Sequence, residues 1–127
     1  MTEHPDYTAR VREYVEALNQ HDLEKCLDFY TPDAVIHFQP GVFRNRGAVE
    51  EWHKGRFKAE LEIVDVKSIE AVDPHTVVLS GSATSKRLRR WKINQLQGTA
   101  TFEFDPAADK VRELRFALSG QNFLEGW

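Results

Sequence analysis

Residues 14–35 read YVEALNQHDLEKCLDFYTPDAV, and this stretch decides the fold. Tyr14, Val15 and Leu18 continue the spacing set by Val11, which gives one apolar face at i, i+3, i+4 and i+7. Asp6 stands where a side chain can cap that helix. Asn19-Gln20-His21-Asp22 interrupts the pattern. Asp22 then caps a second, short helix with Leu23, Cys26, Leu27 and Tyr30 on one face. Thr31-Pro32-Asp33 should end it, because proline lacks a donor and disfavours helix before it. Ala34 to Phe38 is short, apolar and β-branched enough for a strand.

Downstream, Pro40-Gly41 opens a loop that runs to Gly47. A third helix fits Ala48 to about Phe57, with Val49, Trp52, His53 and Arg56 along one face. The remainder reads as strands: Leu61 to Val72, Thr76 to about Lys86, Trp91 to Asp105, and Lys110 to Ser119. Asp73-Pro74-His75 and Pro106 to Asp109 supply the turns. Helices followed by a strand meander make an α+β fold with an antiparallel sheet whose long strands must curl around the helices. Gly81 and Gly98 sit where a bend or bulge would help the long strands curl.

Alternation assigns the faces. Val77, Leu79, Gly81 and Ala83, then Ala100, Phe102 and Phe104, then Leu114, Phe116 and Leu118 should face the helices. Ser80, Ser82, Thr84, Gln95, Gln97, Thr99 and Thr101 should face out. Small, uncharged residues on an outer face suit a sheet-to-sheet homodimer, with Trp91 and Ile93 near one end.

The chain has 127 residues, enough for one domain over residues 1–127 and a core without staples. One cysteine allows no internal disulfide, and the acidic N-terminus has no apolar stretch to serve as a leader, so a cytoplasmic protein is expected. No apolar run is long enough to span a membrane. Net charge is −3 and the isoelectric point near 5.9, which argues against a nucleic-acid binder. The exception is the cluster Lys86, Arg87, Arg89, Arg90 and Lys92. It reads as an anion site at the mouth of the fold, as a nucleic-acid contact with Trp91 for stacking, or as a solvated hairpin whose charges discourage edge pairing.

The order helix, short helix, strand, helix, long meander resembles the nuclear-transport-factor-2-like superfamily, which includes ketosteroid isomerase and the SnoaL-like polyketide cyclases. The carriers are Tyr14 to Asn19, His21-Asp22-Leu23, Phe29 to Val35, Arg46-Gly47, and Phe102-Glu103-Phe104 followed by a turn and Lys110-Val111. The resemblance covers about residues 8–123 and implies a cystatin-like cone, a curved antiparallel sheet wrapped around the N-terminal helix, with a pocket at its open end. It also implies sheet-face dimers. Tyr14 matches the oxyanion-hole tyrosine of the isomerases. Phe38 stands where they carry the general-base aspartate, and Ala100 where they carry the protonated aspartate. His53 matches a second pocket tyrosine. Without the base, no steroid isomerase activity is expected.

Tyr14, Tyr30, Trp52, His53, Leu114 and Phe116 should line one cavity, and Phe38 and Ala100 belong to the same pocket. The pocket would take a small, largely apolar molecule. Tyr14 and His53 are the catalytic candidates, with histidine available as a base near neutral pH. The competing reading is plain core packing, with each polar tip satisfied by a neighbour. His37 should point outward if its strand is regular, and Cys26 reads as buried and inert. No ligand spacing for a metal, no phosphate loop and no nucleophile elbow is present, so no cofactor is expected. The chain therefore reads as a cofactor-free isomerase, cyclase or hydrolase, or else as a non-catalytic ligand-binding or dimerisation module.

Overall fold

In the computed structural model, residues 6–38, 41–91 and 96–118 are described. Asp6 accepts from the Ala9 N–H at 3.2 Å and starts α1 (Tyr7–Asn19). Tyr7, Val11, Tyr14, Ala17 and Leu18 form its buried face. His21 takes a left-handed φ of 56° after the helix, and Asp22 caps α2 (Leu23–Asp28). Asn19 fastens the end of α1 to the sheet. Its amide donates to the Ile63 carbonyl at 3.0 Å and its oxygen accepts from the Ile63 N–H at 2.8 Å.

Six strands follow: β1 (Tyr30–Phe38), β2 (Gly41–Arg44), β3 (Glu62–Asp73), β4 (Thr76–Thr84), β5 (Leu96–Asp105) and β6 (Lys110–Leu118). Between them lie α3 (Asn45–Lys58) and the short α4 (Lys86–Arg90). The strand order is β2-β1-β6-β5-β4-β3 in one curved, unclosed sheet. The fold is α+β, a cystatin-like cone around α1. Tyr7 stacks on Phe104 with ring centres 4.1 Å apart, and Tyr14 meets Phe102 edge-on at 5.8 Å, so the helix lies against the inner face.

Four details differ from the sequence reading. The β1–β6 pair is parallel, while the other pairs are antiparallel. Strand β1 begins at Tyr30, not at Ala34. Pro32 is tolerated because the β1–β6 ladder breaks between Tyr30 and Val35, and β2 pairs only with Val35 to Phe38. Gly41 to Arg44 is a strand, not a loop; its four residues are too few to show a period. The basic cluster is helical rather than a hairpin. Ser85 Oγ accepts from the Leu88 N–H at 3.4 Å, the Lys86 N–H donates to the Ala59 carbonyl at 2.8 Å, and Leu88 is fully buried. Burying that leucine is worth about 1.5–3 kcal/mol. Lys92, Ile93 and Gln95 lie outside the described residues, as does the side chain of Leu118.

Gly81 has a structural reason. A Cβ built there would sit 2.3 Å from the Asp65 carbonyl oxygen, where β3 bulges against β4. Gly81 also faces Gly98 across the β4–β5 ladder. Gly81 and Gly98 both line a hollow at this level of the sheet.

Candidate functional site

That hollow is a cavity of about 50 Å³, half open, near the C-terminal end of α1. Phe38, Trp52, Phe116 and Leu79 wall it, and Gly81, Gly98, Ala83 and Ala100 give it depth. Phe38 meets Trp52 edge-on at 5.6 Å and Phe116 at 5.3 Å, so three rings brace one wall. Among the described residues, none of the lining side chains titrates. Two polar groups on lining residues, the Trp52 indole N–H and the Ser82 hydroxyl, are buried without a hydrogen-bond partner. Buried polar groups are seldom left so.

Tyr14, Tyr30 and His53 come together elsewhere, in the packed core. His53 Nδ1 lies 2.7 Å from the Val49 carbonyl, which can only accept, so this nitrogen carries the proton. Nε2 is then an acceptor, and the Tyr14 hydroxyl donates to it at 2.7 Å. The Tyr30 hydroxyl in turn donates to Tyr14. The chain Tyr30 to Tyr14 to His53 to Val49 leaves both ring nitrogens of His53 engaged. Burial pushes both tyrosines well above their ordinary range and holds His53 down at about 4. His53 is therefore neutral at pH 7.

The expected single cavity thus divides. Phe38, Trp52, Ala100 and Phe116 line the open space. Tyr14, Tyr30 and His53 form the polar chain, and none of the three lines the cavity. Leu114 is fully buried in the core and does not reach the cavity. The two regions share Trp52, whose ring centre lies 4.9 Å from that of His53. Leu18, Leu61, Ile63, Leu96 and Thr99 complete the lining; the sequence reading did not place them in the pocket, and it set Thr99 on the outer face. Their signal was small residues at four inward positions, which leaves large neighbours facing a void.

The remaining candidates lie outside this centre. His37 points to the outer face, where Nε2 lies 2.7 Å from Glu113. Glu113 stands directly opposite Glu103 in the β5–β6 ladder. Hydrogen bonds from Glu103, His37 and Arg115 hold Glu113 down at about 2, while Glu103 is pushed up. Cys26 is buried, which pushes its thiol up to about 12 and leaves it unreactive. No group of three or more His, Cys, Asp or Glu among the described residues could hold a metal ion. No helix among them is long and apolar enough to cross a membrane.

A family model for the SnoaL-like domain matches residues 11–114, nearly the whole of the cone. The chain belongs to the SnoaL-like domain family. No curated protein matches it. Solved structures share the fold at low identity. A candidate SnoaL-like polyketide cyclase from Shewanella denitrificans OS-217 superposes with a TM-score of 0.77 at 16% identity, covering 96% of each chain. The epoxide hydrolase/cyclase-like enzyme SalBIII, of pyran ring formation in the polyether salinomycin, gives 0.76 at 20% identity over 91% of this chain and 94% of that one. An NTF2-like protein of unknown function from Cytophaga hutchinsonii ATCC 33406 gives 0.73 at 11% identity over 96% of each chain. These likenesses extend to the fold.

Proposed function

We propose that this SnoaL-like domain binds a small, largely apolar molecule in the cone, with Phe38, Trp52, Ala100 and Phe116 as its contacts. The apolar cavity beside two unpartnered buried polar groups carries this reading. The cavity takes only the end of such a molecule, and a hydroxyl or carbonyl there would partner the indole N–H. A thermal-shift and calorimetric screen of C6–C10 alcohols and ketones tests it, with Ala100→Leu as the filled control. Binding that survives Ala100→Leu would place the ligand elsewhere.

A second reading is catalytic: a cofactor-free isomerase, cyclase or hydrolase in which Tyr14 and His53 move a proton. The observation favouring it is the contact of His53 with Trp52, which joins the polar chain to the cavity wall. The names of the structural neighbours, a candidate polyketide cyclase and an epoxide hydrolase/cyclase-like enzyme, agree with it. The acid limb of such an activity would fall near pH 4, where His53 protonates, rather than near 6.5. His53→Gln should then lower turnover about 100-fold; unchanged turnover removes His53 from the reaction. The absence of carboxylates at Phe38 and Ala100 speaks for binding over steroid isomerisation.

The domain is proposed to act in the cytoplasm as a homodimer through the outer sheet face, without nucleic acid or membrane. Ser80, Thr99 and Thr101 are half-buried there, while Ser82 and Thr84 are already buried within the chain. The Glu103, Glu113, His37 and Arg115 cluster bounds the uncharged stretch. Light scattering at micromolar concentration should give twice the chain mass, and Thr99→Arg should halve it; a wild type at the mass of one chain refutes the dimer.

A further inference from the structure

The outer face of β5 and β6 carries charges that a single chain leaves unbalanced. Glu103 and Glu113 stand directly opposite each other in the ladder. Like charges in that position are destabilising. Glu113 is compensated: its Oε2 lies 2.7 Å from His37 Nε2 and accepts from the Arg115 guanidinium at 2.9 Å. Glu103 forms no ion pair with a cation among the described residues. It lines a groove of about 310 Å³ with Thr76, Thr101, Glu113 and Arg115. Arg115 bonds Glu113 through one nitrogen, and 59% of its side chain stays exposed. The patch therefore holds a carboxylate short of a cation beside a guanidinium with donors to spare.

The register makes these two groups exchangeable. Arg115 is opposite Thr101 and Glu103 is opposite Glu113, so Arg115 and Glu103 stand diagonally across the ladder. When two copies of this face meet, a two-fold axis lies in the plane between them. An axis along the other diagonal, from Thr101 to Glu113, exchanges the positions of Arg115 and Glu103. Each arginine then faces the other copy's glutamate, and the pair forms twice. The two Glu113 carboxylates come near the axis already bonded to His37 and Arg115 in their own chains. Thr99 and Ala117, the next outward pair, are small and uncharged and let the faces approach.

We propose that the outer sheet face docks a second copy of this chain through two reciprocal ion pairs, Arg115 of each copy with the partner's Glu103. This rests on the sheet-face dimer and names the contact that specifies the partner. Sedimentation at neutral pH and low salt tests it with the wild type, Glu103→Arg, Arg115→Glu, Glu103→Gln and an equimolar mixture of the first two variants.

Between chains, Glu103→Arg sets arginine against arginine and should weaken the dimer at least ~10-fold. Arg115→Glu sets glutamate against glutamate and should do the same. The mixture offers two opposite-charge pairs, and the mass of two chains should return. Within one chain, Glu103→Arg replaces a like-charge pair by an opposite one, so samples dilute enough to be monomeric should melt no earlier than wild type. Glu103→Gln keeps the shape without the charge and should weaken the dimer less than Glu103→Arg. An earlier melt of Glu103→Arg places the role of Glu103 within its own chain and overturns the proposal. So does a mixture that stays at the mass of one chain, or a Glu103→Gln dimer as tight as wild type; the dimer reading survives these results. A wild type at the mass of one chain overturns both.

Discussion

Two unlike neighbours share the Trp52 ring. In one, three polar side chains are hydrogen-bonded in series, the donor on the His53 ring is spent, and none of the three lines the cavity. In the other, about 50 Å³ stays open and no lining group among the described residues titrates. Both lie in the same cone and derive from the same inward periodicity. What separates them is the size of the opposing residues. Around Tyr14 the partners are Phe29, Tyr30, Phe102 and His53, and the rings close on one another. Around the cavity the partners are Gly81, Gly98, Ala83 and Ala100, and they do not. Polar chemistry and free volume have been parted, which is why binding is the stronger functional reading.

The largest way to break this contrast is to fill the pinch that shapes the cavity. Gly81→Val drives a side chain into the Asp65 carbonyl, where even a Cβ has only 2.3 Å. It should lower the unfolding free energy by about 3 kcal/mol or more in urea titration. A loss under ~1 kcal/mol would mean that the bulge between β3 and β4 shifts freely.

Next is the polar side. Tyr14→Phe removes both the donor to His53 and the acceptor for Tyr30, two buried groups at once. The expected loss is about 1–3 kcal/mol. Octanol affinity should be unchanged, since Tyr14 does not line the cavity.

The pH dependence sharpens the same side. His53 has a folded-state pKa of about 4 against an ordinary 6.5, so the unfolded chain binds the extra proton in that window. Stability should therefore rise with pH between about 4 and 6.5 and be fully present above it. Between pH 7.5 and 5 the His53 share of this change is about 2 kcal/mol. His53→Gln should flatten that slope in denaturant titrations at the two pH values. A slope that persists in the variant would assign it to other groups.

The smallest expected stability change is at Ala100→Leu. Filling part of the cavity should alter the unfolding free energy by no more than ~2 kcal/mol, in either direction.

Most of the frame was legible. Asp6 and Asp22 cap the helices as their positions suggest, and Phe38, Trp52, Ala100 and Phe116 share one cavity. Tyr14, Tyr30 and His53 do point inward, and their periodicity says so. It does not say whether inward means toward space or toward one another, because that depends on the residues across the gap. The descent of His53 to about 4 depends on complete burial, which no spacing encodes. Strand β2 is too short for a period to show. Helix α4 had a signal in Ser85 followed by Lys-Arg-Leu-Arg-Arg, a cap before good helix formers, but its charges suggested a solvated turn. Pro32 within β1 was hidden because the gap in the parallel ladder that admits it is a tertiary feature.

The central claim, that ligand space and polar chemistry are separate, is tested most directly by octanol titration of Ala100→Leu and Tyr14→Phe beside the wild type. Calorimetry should show binding abolished in Ala100→Leu and within about 2-fold of wild type in Tyr14→Phe. The reverse pattern, with Tyr14→Phe abolishing binding and Ala100→Leu retaining it, would place the ligand on the polar chain and contradict the account.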